Sequence, residues 1–410
     1  MKAGLVLLII LYSLSLQAQK HCTDTEYSLE RFSKDRSLKA KMDHYVSMIS
    51  STTQRGEGMD DIIRIPVVVH ILYHYPTEKM TDVEVQSQIK ALNDCFRRQS
   101  ADTINTPSYF KRFAADCKIE FQLAISDPHR RNTSGIIRKY SPVKMWQADD
   151  KMKYTSEMGD DAWDPNSYLN IWVCNLDRVA GYSSVPGDDP KKDGVVIGFG
   201  AFGTIGTAIG YEMGKTAVHE VGHWLNLKHV WGDTYCGDDG VDDTPKQAGY
   251  NIGCPGEVTV TCGNGPYGDM YMNYMDLTND RCMNLFTVGQ KQRMRALFSV
   301  GGPRYAILSS KGLGLPLIEQ IPLPESDPKW LYPQLYPNPA SSQANLDLSY
   351  DPRWVGKTIF ISNLTGQTVK TVVVTSVMQS LRISDLPAGV YFLAAKKDDG
   401  ESIKLKLVKF

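Results

Sequence analysis

The stretch Thr216–His229, TAVHEVGHWLNLKH, narrows the choice of fold more than any other. His219 and His223 stand four residues apart, so on a helix both imidazoles lie one turn apart on one face, within reach of a single ion. Glu220 then sits beside that face. His229 comes six residues after His223, and a continuing helix would point it elsewhere. The chain must therefore turn, and Asn226 suits the left-handed conformation that ends a helix. Three neutral histidines leave a fourth position for water, the arrangement of a catalytic rather than a structural zinc site. Zinc would lower the water pKa and polarise a carbonyl, while Glu220 would take the water proton and pass it to a leaving amine. The competing reading is three histidines packed on a helix without metal.

The N-terminus carries one lysine and then LVLLIILYSLSL before Gln17-Ala18-Gln19, which predicts a signal peptide over residues 1–18. No later run reaches membrane-spanning length, so the mature chain is expected outside the membrane, secreted or surface-associated. In that compartment eight cysteines are expected to be bridged. Four cluster at Cys236, Cys254, Cys262 and Cys282, which allow three pairings, and four are scattered at Cys22, Cys95, Cys117 and Cys174. With 45 basic and 46 acidic residues, charge suggests no nucleic-acid partner.

Composition divides the remainder. Residues 19–55 are polar and read as a pro-segment, with Arg55-Gly56 a reasonable activation cut. Residues 56–307 alternate strand-like runs (IPVVVHILYH, KIEFQLAI, YLNIWVCNL, GVVIGFG) with helical patterns such as TDVEVQSQIKALNDCFRR, where Val83, Val85, Ile89, Leu92 and Cys95 recur at helical spacing. This predicts an α/β domain. Thr287 and Gln290 have the spacing of a capping box that starts a closing helix. A Pro-rich linker occupies 308–334, and residues 335–410 alternate as a small all-β sandwich.

The helix and third histidine, with YMNYMDLTNDRCMNLFTVGQ downstream, resemble the metzincins and, within them, the pappalysin (cytophagalysin) family. The resemblance covers most of residues 60–305. It implies a twisted mixed sheet with an active-site helix, zinc as cofactor, protein or peptide substrates, and Met275 as the methionine of the turn beneath the metal. It also implies the pairs Cys236–Cys262 and Cys254–Cys282. Related enzymes hold calcium near CGDDGVDDTP, so Asp238, Asp239, Asp242 or Asp243 could bind that ion, a solvated acidic loop being the alternative.

The family pattern is broken in two places. Leu277 stands where many metzincins carry a tyrosine whose hydroxyl helps the oxyanion, and Tyr274 is no evident substitute. Arg281 stands where arginine-directed members carry an aspartate; in a pocket it would favour acidic or neutral side chains after the cut, and otherwise it faces solvent. Cys22 either ligates zinc in the zymogen or pairs with Cys95, Cys117 or Cys174. The tail, with LYPNPASS, LPAGVY and a Lys-rich last strand, resembles the C-terminal sorting domain of the Bacteroidetes type IX secretion system, whose machinery would be a partner. Two further readings are a surface adhesin on an inactive protease scaffold and a zinc amidase acting on a non-protein substrate. The intact histidines and Glu220 weigh against the first.

Overall fold

The computed structural model describes residues 61–319, 327–398 and 400–410, with Ser37, Leu38, Ala40, Lys41 and Tyr45 of the preceding segment. The signal peptide, Cys22 and the Arg55-Gly56 bond lie outside the described residues.

Strand β1 (Ile63–Tyr73) is buried at every position but one, as a central strand covered on both faces must be. It pairs in parallel with β2 (Ile119–Leu123) and then β3 (Ile136–Tyr140) along one side. Along the other side it pairs in parallel with β4 (Leu169–Cys174), beyond which come β6 (Val195–Gly198), also parallel, and β5 (Gly181–Ser183), antiparallel. Among the described residues β5 has a neighbouring strand on one side only. The sequence patterns missed β3 and β5, because five partly exposed residues and three residues are too little alternation to read.

Helix α1 (Asp82–Phe96) begins at Thr81 with a capping box to Glu84, and buries Val85, Gln88, Ala91, Leu92 and Cys95. Val83 was expected on that face but is exposed, because it lies two residues from Val85 and so nearly opposite it around the helix. Helix α2 (Lys215–Trp224) is buried at all ten positions, between α1 on one side and β5 and β6 on the other. Such a helix has no solvent face to spare, which fits a site built inside the domain. Helix α3 (Val288–Ala296) starts at the expected capping box of Thr287 and Gln290.

Both disulfides implied by the resemblance are present, Cys236–Cys262 and Cys254–Cys282. The expectation of bridged cysteines fails for Cys95, Cys117 and Cys174, which are free and buried. Burial in the apolar core pushes the Cys95 thiol up to about 12 and the other two up as well, so all three stay protonated and inert.

The first half of the expected linker is not loose chain. The Gly312 carbonyl accepts from the Ile125 and Ser126 amides at 2.9 and 3.1 Å, and the Ile318 carbonyl accepts from the Asn132 amide at 2.8 Å. A side chain at 312 would strike Tyr168 and Pro66, so this close approach requires glycine. Beyond it lie two antiparallel sheets. One joins β7 (Gln334–Tyr336), β8 (Gln343–Asp347) and β11 (Met378–Arg382); the other joins β9 (Thr358–Ser362), β10 (Thr368–Val373), β12 (Gly389–Lys396) and β13 (Ser402–Lys409). Leu346 and Leu381 from the first and Ile361, Leu393 and Leu407 from the second share one buried cluster.

Candidate metal centre and active site

Helix α2 is positioned at both ends by residues distant in sequence. At its start the Asp280 carboxylate accepts from the Met213 and Lys215 amides at 3.0 and 2.9 Å, placing a negative charge on the unsatisfied N–H groups. The buried Lys215 ammonium donates to the carbonyls of Asp280 and Met283 and pairs with Asp102. At its end the Trp224 indole donates to Asp193 at 2.6 Å, and Arg304 pairs with the same carboxylate while stacking 3.8 Å over the Trp224 ring.

Past Trp224 the chain reverses as expected at Asn226, whose φ is +71°. The Asn226 amide reaches the His223 carbonyl at 2.8 Å and the Leu227 amide reaches Gly222 at 2.9 Å, the paired bonds of a Schellman ending. This turn swings His229 back over the helix. His223 Nε2 lies 3.0 Å from His219 Nε2 and 3.2 Å from His229 Nε2. Among the described residues these three are the only group of three or more His, Cys, Asp or Glu ligand atoms all within 4.8 Å of one another.

Each ring is held by its other nitrogen. His219 Nδ1 donates to the Tyr274 carbonyl at 2.7 Å, His223 Nδ1 to the Leu227 carbonyl at 2.9 Å, and His229 Nδ1 to the Asp233 carboxylate at 2.5 Å. These bonds fix the tautomer and aim all three Nε2 lone pairs at one point. Trp231 stacks on the His229 ring at 4.2 Å. Glu220 is buried on the same helix, and its Cγ would lie 3.0 Å from any Cβ placed on Gly181 of β5. The sequence pointed to neither the three acceptors nor this contact.

Met275 is fully buried, and a Cβ on Gly222 would come within 2.5 Å of its sulfur, so the methionine lies directly against the helix that carries the histidines. Its turn is tied to α3: Asn273 accepts from the Met275 amide at 2.9 Å and exchanges side-chain hydrogen bonds with Gln290 at 2.9 and 3.1 Å. Tyr274 serves the site through its carbonyl. Its ring packs 4.8 Å from Phe286 in the core, where burial raises the phenol well above its ordinary value. Leu277 is buried and brings no hydroxyl.

Two further candidates lie outside the histidine cluster. Arg281 is exposed, with its Nε 3.2 Å from the Cys254 sulfur. In the acidic run Asp239 accepts from the Val241 amide and Thr244 hydroxyl, Asp238 from the Gly240 amide, and Asp243 Oδ2 from the Gly289 amide at the start of α3, while Asp243 Oδ1 is buried with no hydrogen-bond partner. Desolvation pushes the Asp239 carboxyl up to about 7.

Residues 152–299 match the peptidase family M43 model, described as pregnancy-associated plasma protein-A, and residues 334–409 match a secretion system C-terminal sorting domain. Mature mirolysin of Tannerella forsythia, solved with a cleaved peptide, is 45% identical with TM-score 0.60, the match covering 60% of this chain and 96% of that one. A promirolysin variant of the same organism is 40% identical with TM-score 0.65, over 71% of this chain and 97% of that one. An extracellular metalloprotease of Pyricularia oryzae is 45% identical over 27% of this chain and 38% of its own length, so the chain spans well under two-thirds of that relative. No helix among the described residues is long and apolar enough to cross a membrane. The match to a secretion sorting domain indicates a secreted or surface-associated protein. With the histidine cluster on α2 and two mirolysin chains matched nearly end to end, the chain belongs to the pappalysin (M43) family of metallopeptidases.

Proposed function

We propose that the chain is a zinc-dependent endopeptidase, made as a zymogen, that hydrolyses peptide bonds of extracellular proteins. The convergence of the three Nε2 atoms carries the reading: with every Nδ1–H donated outward, lone pairs 3.0 and 3.2 Å apart repel one another unless a cation lies between them. Those separations approach the roughly 3.3 Å between ligands of a tetrahedral zinc with bonds of about 2.0 Å. His219, His223 and His229 would hold the ion, which when bound polarises the scissile carbonyl and acidifies water. Glu220 takes the proton of the attacking water and returns it to the departing amine. Met275 and Asn273 hold the turn whose Tyr274 carbonyl orients His219. Asp242 and Asp243 are kept as candidate calcium ligands, and Asp243 Oδ1 is buried with no hydrogen-bond partner.

Residues 19–55 are read as the pro-segment, 56–307 as the catalytic domain and 335–410 as a β sandwich that addresses the chain to the secretion machinery. Tyr45 supports the first assignment, because it packs on the catalytic core and lies against Gly187, just past β5. Cys22 is kept as a zymogen zinc ligand, consistent with all three of its alternative partners being free thiols. Arg281 is read as disfavouring a cationic side chain after the cut.

The test is casein hydrolysis by the processed protein and its Glu220→Gln variant, with and without a zinc chelator. The variant should retain zinc and lose roughly 10²- to 10⁴-fold in rate. Wild-type rates in the variant would remove Glu220 from the chemistry, and a protein that binds no zinc would favour the adhesin.

A further inference from the structure

The chain is fastened to the α/β domain on both sides of residues 319–326. Upstream, the Ile318 carbonyl accepts from the Asn132 amide. Downstream, one oxygen of Asp327 accepts from the hydroxyl of Tyr73, the last residue of β1, at 2.5 Å. The same oxygen accepts from the Lys79 ammonium at 3.0 Å. The Asp327 side chain is only 8% exposed, so the ion pair is largely withdrawn from water, where a charge-assisted hydrogen bond is strongest. Three residues on, the Trp330 ring lies 5.6 Å from His74 and 6.0 Å from Tyr140, edge to face on the latter. The receiving surface is held by the sheet: Tyr73 and Tyr140 pair across β1 and β3, and His74 Nδ1 donates to the Ser141 carbonyl at 3.1 Å.

The segment that reaches this surface is built into the tail. The Leu331 amide returns to the Pro328 carbonyl at 2.9 Å, and the Tyr332 hydroxyl donates to the same Asp327 oxygen at 3.3 Å. The Gln334 side chain, in β7, donates to the Lys329 carbonyl at 2.9 Å. Carboxylate and indole are therefore presented on a turn that runs directly into the first strand of the sorting domain. Breaking the chain within 319–326 removes none of these contacts. We propose that Tyr73, His74, Lys79 and Tyr140 form a docking site for the chain's own Asp327–Tyr332 segment, selective for a carboxylate followed by an aromatic ring, which retains the sorting domain after the connection is cut. A short covalent connection presents a tethered segment at roughly millimolar effective concentration, so even a weak contact stays closed in the intact chain. Once the connection is cut, release is a separate step governed by the dissociation constant of the contact. The inference does not depend on the chemistry at the histidine cluster.

The test uses the full chain with a recognition sequence for a site-specific protease placed within 319–326, and with Glu220→Gln to prevent self-digestion. After the cut, sedimentation velocity is followed over a dilution series, with thermal unfolding of the cut protein measured alongside. The two fragments should sediment together with the mass of the uncut chain and part on dilution with a single Kd. Asp327→Ala and Trp330→Ala, made separately, should each raise that Kd about tenfold or more, as loss of a charged hydrogen-bond acceptor or a buried aromatic contact does. Both changes lie on the tail side and leave Tyr73, His74, Lys79 and Tyr140 in place, so unfolding of the larger fragment should not move. Fragments that separate at every concentration overturn the docking site. A Kd that neither variant changes also overturns it, by placing the attachment elsewhere.

Discussion

Gly222→Ala places a methyl group where helix α2 meets the methionine turn. Alanine is the better helix former by about 1 kcal/mol, so on an unencumbered face the change would stabilise the protein. Here the new Cβ would sit 2.5 Å from the Met275 sulfur, about 1 Å inside ordinary contact, and 3.3 Å from its methyl carbon, a slightly tight approach. The thioether has no room to retreat, because Met275 is fully buried and its amide is fixed to Asn273. Overpacking of this kind costs about 1–3 kcal/mol, which leaves a net loss of roughly 0–2 kcal/mol. A larger effect is expected on the metal. The adjoining Tyr274 carbonyl orients His219, and displacing such an outer partner weakens metal affinity by about 10- to 100-fold. Urea unfolding of the chelated protein gives the first quantity and competition with a chromophoric zinc chelator the second. Gly249→Ala, whose added Cβ meets nothing within 4 Å, is the control. A Gly222→Ala protein as stable as wild type with unaltered zinc affinity would refute the account of how the turn supports the histidines.

Other expectations follow from the same framework. Asn226→Gly should be neutral or mildly stabilising, since φ is +71° and neither buried side-chain amide atom has a hydrogen-bond partner, whereas Asn226→Ala should cost about 1–2 kcal/mol in urea unfolding. Asp280→Ala removes the acceptor for two amides at the start of α2 and should cost about 1–2 kcal/mol, more than an exposed cap would. Asp239 has its carboxyl raised from 3.8 to about 7, so the folded state holds its proton more tightly than the unfolded chain does. Its contribution is complete below pH 3.8 and is lost as pH rises through 7, at most roughly 4 kcal/mol for about three units at 1.36 kcal/mol each. Asp239→Asn should therefore gain on wild type between pH 4 and 8 in unfolding titrations, and parallel curves would refute the assignment.

What the sequence made legible was local. The pairing of His219 with His223, the reversal at Asn226 and the capping box at Thr287 each span a turn or two, and each stands where expected. What stayed hidden joins residues far apart: the Tyr274 carbonyl on His219, Asp280 at the head of α2 and Gly181 against Glu220 are separated by 55, 65 and 39 positions, and no periodicity encodes them. Composition also said little of long-range attachment: the Pro-rich stretch after residue 308 read as a linker, and its first part, holding Gly312 and Ile318, is hydrogen-bonded to the body.

That last attachment limits where the tail can be removed. A cut before Gly312 would strip partners from the Ile125, Ser126 and Asn132 amides and bare the packing against Tyr168 and Pro66. A cut after Ile318 severs none of these contacts. Any cut that separates the body from its tail without disturbing it is therefore expected beyond residue 318, leaving a short apolar trailer as a fixed part of the scaffold.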